Sequence, residues 1–196
     1  FHSKMNAIGA DTIQMLHAGV KEAALNFEAL VVGSEAPNFS AGANLMLLLL
    51  EAQEENWDEI DLMVRAFQGA TQALRYADVP VVIAINGLAL GGGCEIALHG
   101  DRIQAAAESY LGLVETGVGL IPAGGGTKEM LARRAGELTP GADLLPAAQR
   151  AFETIGFGKV STSAADARGL GYLRDVDRVT MNGERLMADA KAVAVE

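Results

Sequence analysis

Two carboxylates, Glu95 and Glu115, stand 20 residues apart, each beside glycines: Gly91-Gly92-Gly93-Cys94-Glu95 and Glu115-Thr116-Gly117-Val118-Gly119. A carboxylate pair can supply both a base and an acid in one site when the surroundings divide the two roles. The glycine run follows an apolar stretch and opens a short helical segment, so its backbone N–H groups would lack partners. Such donors suit an anion, or an oxyanion that forms during reaction. A plainer explanation of three glycines is a tight turn against packed backbone, since each costs about 0.5–1 kcal/mol relative to alanine in regular structure. Taken singly, Glu95 reads equally as a charge partner for its helix and Glu115 as a solvated loop acid.

Other chemistries are weaker. From Gly91 a Gly-x-Gly-x-x-Gly fingerprint fails at Ile96, and Gly124-Gly125-Gly126-Thr127-Lys128 has the Thr and Lys of a phosphate loop in the wrong order. Ser40, His99 and Asp101 could be drawn as a triad, but no Gly-x-Ser-x-Gly elbow supports it. His99 lies in an apolar helix and reads as a packed core histidine. Cys94 reads as a buried small residue rather than a nucleophile. It is the only cysteine, which excludes an internal disulfide and a cysteine-built zinc centre. A reducing compartment, the cytoplasm, is expected. No metal is expected.

The net charge of −10 argues against nucleic acid as a partner, so an anionic ligand must be held locally. The longest apolar run, Leu45 to Leu50, falls far short of the roughly 20 residues a spanning helix needs, and no basic start precedes a long apolar stretch. Neither a membrane segment nor a signal peptide is expected. Phe1 in place of methionine reads as the start of a cut-out piece, with a first strand missing.

The elements that must position these residues follow from periodicity. Ile13, Leu16, Val20, Ala24 and Phe27 predict a helix over 10–27 behind an Asp11 cap. Leu30 to Gly33 predicts a short buried strand, followed by a loop over 34–44. Ile60, Met63, Val64, Phe67, Ala70 and Leu74 predict a helix over 58–77 capped by Asp58. A strand is expected over 79–85, with Pro80 tolerated only near its start. A helix over 94–99 should end at a left-handed Gly100, and an extended segment covers 101–107. Helices and buried strands alternate, which predicts an α/β core in one domain of 196 residues. Beyond it, 127–154, with breaks at Gly136, Pro140, Gly141 and Pro146, then 163–170 and 181–194 read as helical.

Three ordered blocks, Asn38-Phe39-Ser40-Ala41-Gly42-Ala43-Asn44, Gly91 to Ala97 and Leu113 to Thr127, resemble the crotonase, or enoyl-CoA hydratase/isomerase, superfamily. The resemblance runs from about Lys4 to Gly171. It implies a ClpP/crotonase core of β-β-α repeats over 1–135 and a helical C-terminal trimerisation region over 136–196. It implies a coenzyme A thioester as substrate, with no separate cofactor, and a homotrimer or hexamer. It also implies an oxyanion hole made by the backbone N–H groups of Ala43 and Gly92, with acids at both Glu95 and Glu115. Glu95 falls in the first turn of the glycine-led helix, where the dipole favours its charged form and suits it as the base, which makes Glu115 the acid. Lys4, Ala41 and Gly91 would lie along the substrate, and Leu45 to Leu50 would form a core helix sharing a wall with the acyl tunnel. Residues 138–150 and Tyr172 to Asp175 look like the hydratase part of a multifunctional 3-hydroxyacyl-CoA dehydrogenase of β-oxidation. Asn44 departs from the aspartate common at its position. Rival expectations are a double-bond isomerase with one working Glu, a non-catalytic acyl-CoA-binding module, and a serine peptidase built on Ser40.

Overall fold

The computed structural model describes residues 3–196. Its sheet has four strands in sequential order, β1 (Leu30–Val32), β2 (Val81–Leu90), β3 (Arg102–Gly112) and β4 (Arg178–Thr180), with every neighbouring pair parallel. Parallel neighbours need crossovers, and helices supply them. After α1 (Ala10–Asn26) and β1, α2 (Leu45–Gln53) and α3 (Trp57–Arg75) lead to β2, and α4 (Gly92–Leu98) leads to β3. Then α5 (Gly126–Gly136), α6 (Leu145–Gly156) and α7 (Ala164–Leu170) lead to β4, and α8 (Leu186–Ala194) follows.

Alternation along β2 divides the interior. Val81, Ile83 and Ile85 join Leu16, Phe39, Leu74, Leu98, Leu111, Met130 and Tyr172 in the main core, whereas Val82 and Ala84 face Ala106, Leu186, Ala190 and Val193. The second face is thus covered by α8. A strand buried on both faces explains why 81–85 is apolar without a break.

Both long strands continue past a break in register. Ile85 pairs with Ala105 and the ladder resumes with Gly87 opposite Ser109, so Asn86 faces three residues, 106–108. Such a bulge bends the strands. Beyond it the far halves acquire new neighbours: Ser40 pairs with Ala89, and Val160 runs antiparallel to Gly112. Near half, far half, then helix is the expected β-β-α unit, and it ends in α4 after β2 and in α5 after β3.

Several expectations need correction. The strands do not stop at Ile85 and Ala107. Asn86-Gly87 looks like a turn, but Asn86 Nδ2 donates to Ala36 O (2.7 Å) and Leu88 N donates to Asn38 Oδ1 (2.9 Å), so the preceding loop supplies the partners that keep the chain extended. β4 was not expected, being only three residues long. Gly9 and Asn56, not Asp11 and Asp58, are the N-cap residues, and both acids sit in the first turn. Gly100 is not left-handed; a Cβ there would meet Ile83 Cγ1 at 2.5 Å, so it is glycine for close packing. α2 is not a core helix: none of its residues is buried, and Leu45, Met46, Leu47, Leu49 and Leu50 are exposed. It is apolar on every side while packing chiefly on α3, which can cover only one of them.

The segment after α7 is anchored by Asp177, 1% exposed. Its carboxylate accepts from Ile103 N (2.9 Å) and Arg174 N (2.6 Å) and faces Arg133 Nη1 at 3.4 Å. Among the described residues no helix is long and apolar enough to cross a membrane.

Candidate active site

The ends of β2 and β3 bring the two carboxylates together. Leu90 and Gly112 form the last registered pair, and Gly91 N donates to Gly112 O at 2.8 Å. From these adjacent points the chain launches α4, with Glu95 in its first turn, and a single tight turn, Glu115–Val118, with Glu115 at its start. A Cβ on Gly91 would stand 3.1 Å from Glu115 Oε1, so the Glu115 carboxylate lies against the glycine turn that introduces Glu95.

Glu95 is 2% exposed, and its Oε1 accepts from Gly126 N at 2.8 Å. Burial pushes its pKa up to about 7; the amide of Gly126 opposes this, the charge of Glu115 adds to it, and the amide of Gly124 opposes it again. A helix dipole does not set its charge state, contrary to expectation. α4 has only seven residues, and loss of water around the carboxylate outweighs its field. Glu115 is half-buried, and burial raises its pKa as well. Its Oε2 is buried and has no hydrogen-bond partner among the described residues.

Close against Glu95 lies Gly124-Gly125-Gly126. A Cβ at Gly124 would meet Phe67 Cε1 at 2.2 Å and Glu95 Oε2 at 2.6 Å. This second glycine run, set aside as a failed phosphate loop, is the wall of the carboxylate. Its three consecutive glycines were the available signal.

The loop bearing Ala43 reaches the same place from the other side. Gly42 has φ +98°, and a Cβ there would stand 2.9 Å from Leu90 O and 3.3 Å from Gly92 N. Ile8 N donates to Gly42 O (2.8 Å) and Asn44 N to Ile8 O (3.3 Å), which leaves the Ala43 N–H outside that pairing. Among the described residues neither Ala43 N nor Gly92 N has a hydrogen-bond acceptor. Asn6, missed in the sequence, holds the loop: its Nδ2 donates to Ser34 Oγ, Asn38 O and Phe39 O, and its own carbonyl accepts from Ser40 Oγ at 2.8 Å. Ala41 N donates to Met5 O (3.1 Å), placing exposed Lys4 on the neighbouring segment. Asn44 caps α2, its Oδ1 accepting from Met46 N.

The imagined triad is not assembled. Ser40 is fully buried and also accepts from Gly42 N; His99 Nδ1 lies 2.7 Å from Glu95 O; Asp101 accepts from Val81 N. Cys94 is fully buried, and burial holds its thiol protonated. Among the described residues no group of three His, Cys, Asp or Glu converges to hold a metal ion. Two clefts, one of about 370 Å³ beside α1 and β1 and one of about 400 Å³ between α1 and the end of α3, are lined by neither carboxylate.

A carboxyl held near 7 in the folded chain, against an ordinary 4.5, makes folding pH-dependent. The folded state binds the proton more tightly than the unfolded chain, so this contribution is fully present below about pH 4.5 and is lost as pH rises through 7. Gln at position 95 can still accept from Gly126 N and never ionises. Glu95→Gln is therefore expected to be more stable than the parent by about 3 kcal/mol at pH 8 and equal to it near pH 4, as read from urea unfolding at the two pH values.

Residues 2–162 match the enoyl-CoA hydratase/isomerase family. The chain is also 47% identical over 194 residues to the "Probable 3-hydroxyacyl-CoA dehydrogenase" of Bacillus subtilis (strain 168), covering 99% of this chain and 24% of that protein. The chain belongs to the enoyl-CoA hydratase/isomerase family. A short-chain-enoyl-CoA hydratase of Clostridium acetobutylicum is 33% identical over 129 residues, covering 64% of this chain and 48% of that one. Among solved structures, the enoyl-CoA hydratase of Bacillus anthracis superposes with a TM-score of 0.77 at 26% identity, covering 97% of this chain and 67% of that chain. That from Polaromonas sp. JS666 gives 0.78 at 25%, covering 97% and 68%. The α/β crotonase-type fold is thereby shown. The chain spans about a quarter of the length of the Bacillus subtilis relative.

Proposed function

We propose that the chain is an enoyl-CoA hydratase, adding water to a 2-enoyl-CoA to give a 3-hydroxyacyl-CoA. The observation that carries this is the convergence of two carboxyls with raised pKa values on a spot flanked by two backbone amides without acceptors. The Ala43 and Gly92 N–H groups receive the thioester oxygen as it gains charge, each worth about 3 kcal/mol in the transition state. Glu95, titrating near neutrality, takes a proton from water as the oxygen bonds to C3. Glu115 gives a proton to C2; its partnerless buried oxygen is a place where a proton costs less than a charge. Lys4, Ala41 and Gly91 lie along the remainder of the thioester. Coenzyme A arrives with the substrate, so the residues need supply only orientation, charge stabilisation and proton transfer.

The likeness to a protein named as a 3-hydroxyacyl-CoA dehydrogenase supports a further step of the same reading. A dehydrogenase part of a longer parent would oxidise the 3-hydroxyacyl product in fatty-acid β-oxidation, and copies of the chain would assemble as trimers or hexamers.

The test is addition of purified protein to crotonyl-CoA. Loss of the conjugated thioester absorbance with formation of 3-hydroxybutyryl-CoA is the expected result. A double-bond isomerase would leave that absorbance in place, and its persistence overturns the proposal.

A further inference from the structure

Next to Glu95 lies a buried charged cluster that the reaction does not use. His99, the C-cap residue of α4, is fully buried, and its Nδ1 stands 2.7 Å from the backbone oxygen of Glu95. A carbonyl can only accept, so Nδ1 carries the proton. Nε2 then faces Glu129 Oε1 at 3.8 Å and has no hydrogen-bond partner among the described residues. Glu129, 2% exposed on α5, is charge-paired with Lys128 Nζ (2.9 Å) and Arg75 Nη2 of α3 (3.3 Å).

The same cluster grips the glycine turn. A Cβ on Gly125 would stand 2.7 Å from His99 Cε1 and Nε2, so the ring is seated directly against that residue. Glu129 N donates to Gly125 O (3.0 Å), and on the opposite side Thr71 Oγ1 donates to Gly124 O (2.8 Å) and Gln68 Nε2 to Ala123 O (2.7 Å). The turn is fixed by α3 and α5 and braced by a histidine that is bonded to the Glu95 peptide. Ion pairs and a buried unsatisfied ring nitrogen, assembled around one turn whose next amide serves Glu95, exceed what packing alone requires.

We infer that His99 and Glu129 are positioning residues for Glu95: together they hold α4 against the Gly124–Gly126 turn and keep the Gly126 amide on Glu95 Oε1. The kinetic part of this inference rests on the hydratase reading; the geometric part does not. The charged groups facing His99 are Glu129 and Lys128 from α5 and Arg75 from α3, and the one acting on the Glu95 carboxyl is Glu115. Loosening the Gly126 bond removes a donor that favours the charged carboxylate, so the Glu95 titration moves to higher pH. A bare charge effect has the opposite sign, because Glu129→Gln leaves Lys128 and Arg75 unopposed and draws that titration down.

The experiment follows the Glu95 carboxyl by carbon-13 NMR titration, its signal assigned by its loss in Glu95→Gln, alongside crotonyl-CoA kinetics. His99→Leu and Glu129→Gln are expected to raise the Glu95 titration, and to lower kcat by about ten- to a hundredfold with KM within about twofold, the mark of a misplaced group rather than lost binding. His99→Asn, whose amide nitrogen can reach the same carbonyl, is expected to keep most of the activity. Titrations that stay put or fall, or His99→Asn losing as much as His99→Leu, would overturn the inference. Should His99→Leu not fold, Glu129→Gln decides by the direction of the titration. A parent protein that leaves crotonyl-CoA untouched while the titrations rise as expected defeats the hydratase reading and leaves the positioning intact.

Discussion

Glu95→Gln and Glu115→Gln are each expected to lower kcat for crotonyl-CoA hydration by about 10³-fold with little change in KM, since proton transfer by a placed side chain is worth roughly 10²–10⁴-fold. Glutamine keeps the shape and can still accept the Gly126 amide, so the loss isolates the proton. Because the two groups act on one water and one enolate, the double variant should be scarcely worse than either single one. Steady-state kinetics on the three variants decides the matter. A module that only binds acyl-CoA would retain its function in all of them. The parent's pH profile carries further information: activity should rise on the acid side through about 7, where Glu95 ionises. The charge of Glu115 acts on Glu95, so that limb describes the pair rather than a single residue.

Asp177→Ala is expected to cost about 3–5 kcal/mol of stability, because removing one partner of a buried ion pair strands the other. Arg133 is 7% exposed, and burial already draws its pKa down to about 10. It donates to Leu98 O (2.8 Å) and Tyr172 O (3.0 Å), which do not replace a carboxylate. The Ile103 and Arg174 amides lose their acceptor at the same time. Urea unfolding measures the loss, and hydrogen exchange at Ile103 should accelerate first. A loss below about 1 kcal/mol would show that Asp177 is not the anchor of the last segment.

What was legible in the sequence was whatever follows from local pattern. The stripe from Ile60 to Leu74 predicts α3, and the unbroken apolar run at 81–85 predicts the buried half of β2. The far halves of β2 and β3 were illegible because their partners, Ala36, Asn38 and Ser40 for β2 and Val160 and Ser161 for β3, are remote in sequence. β4 has three residues and no pattern; pairing with β3 makes it a strand. Leu45 to Leu50 misled because apolar composition does not reveal whether a neighbour exists to cover it. For the candidate site, residue types and order pointed to Glu95 and Glu115 and the family resemblance to Ala43 and Gly92, and the structure brings the segments that carry them together. Burial depth was beyond reach: a helix-dipole argument favoured an ionised Glu95, whereas enclosure by Phe67 and the Gly124–Gly126 turn, remote in sequence, drives it toward neutrality. Asn6 acts through bonds to the loop at 34–39, and His99 is seated against Gly125; no spacing rule connects either pair.

The bulge that turns β2 and β3 has a consequence for how the molecule comes apart. Glu95 and Glu115 emerge just beyond the final rung of a ladder that begins in the main core and resumes beyond the bulge at Asn86. These last rungs tie the site to the sheet, so the carboxylates are released only when the sheet unzips from that end. The site therefore has no separate stability of its own: it forms when the ladder closes and is lost when the ladder opens.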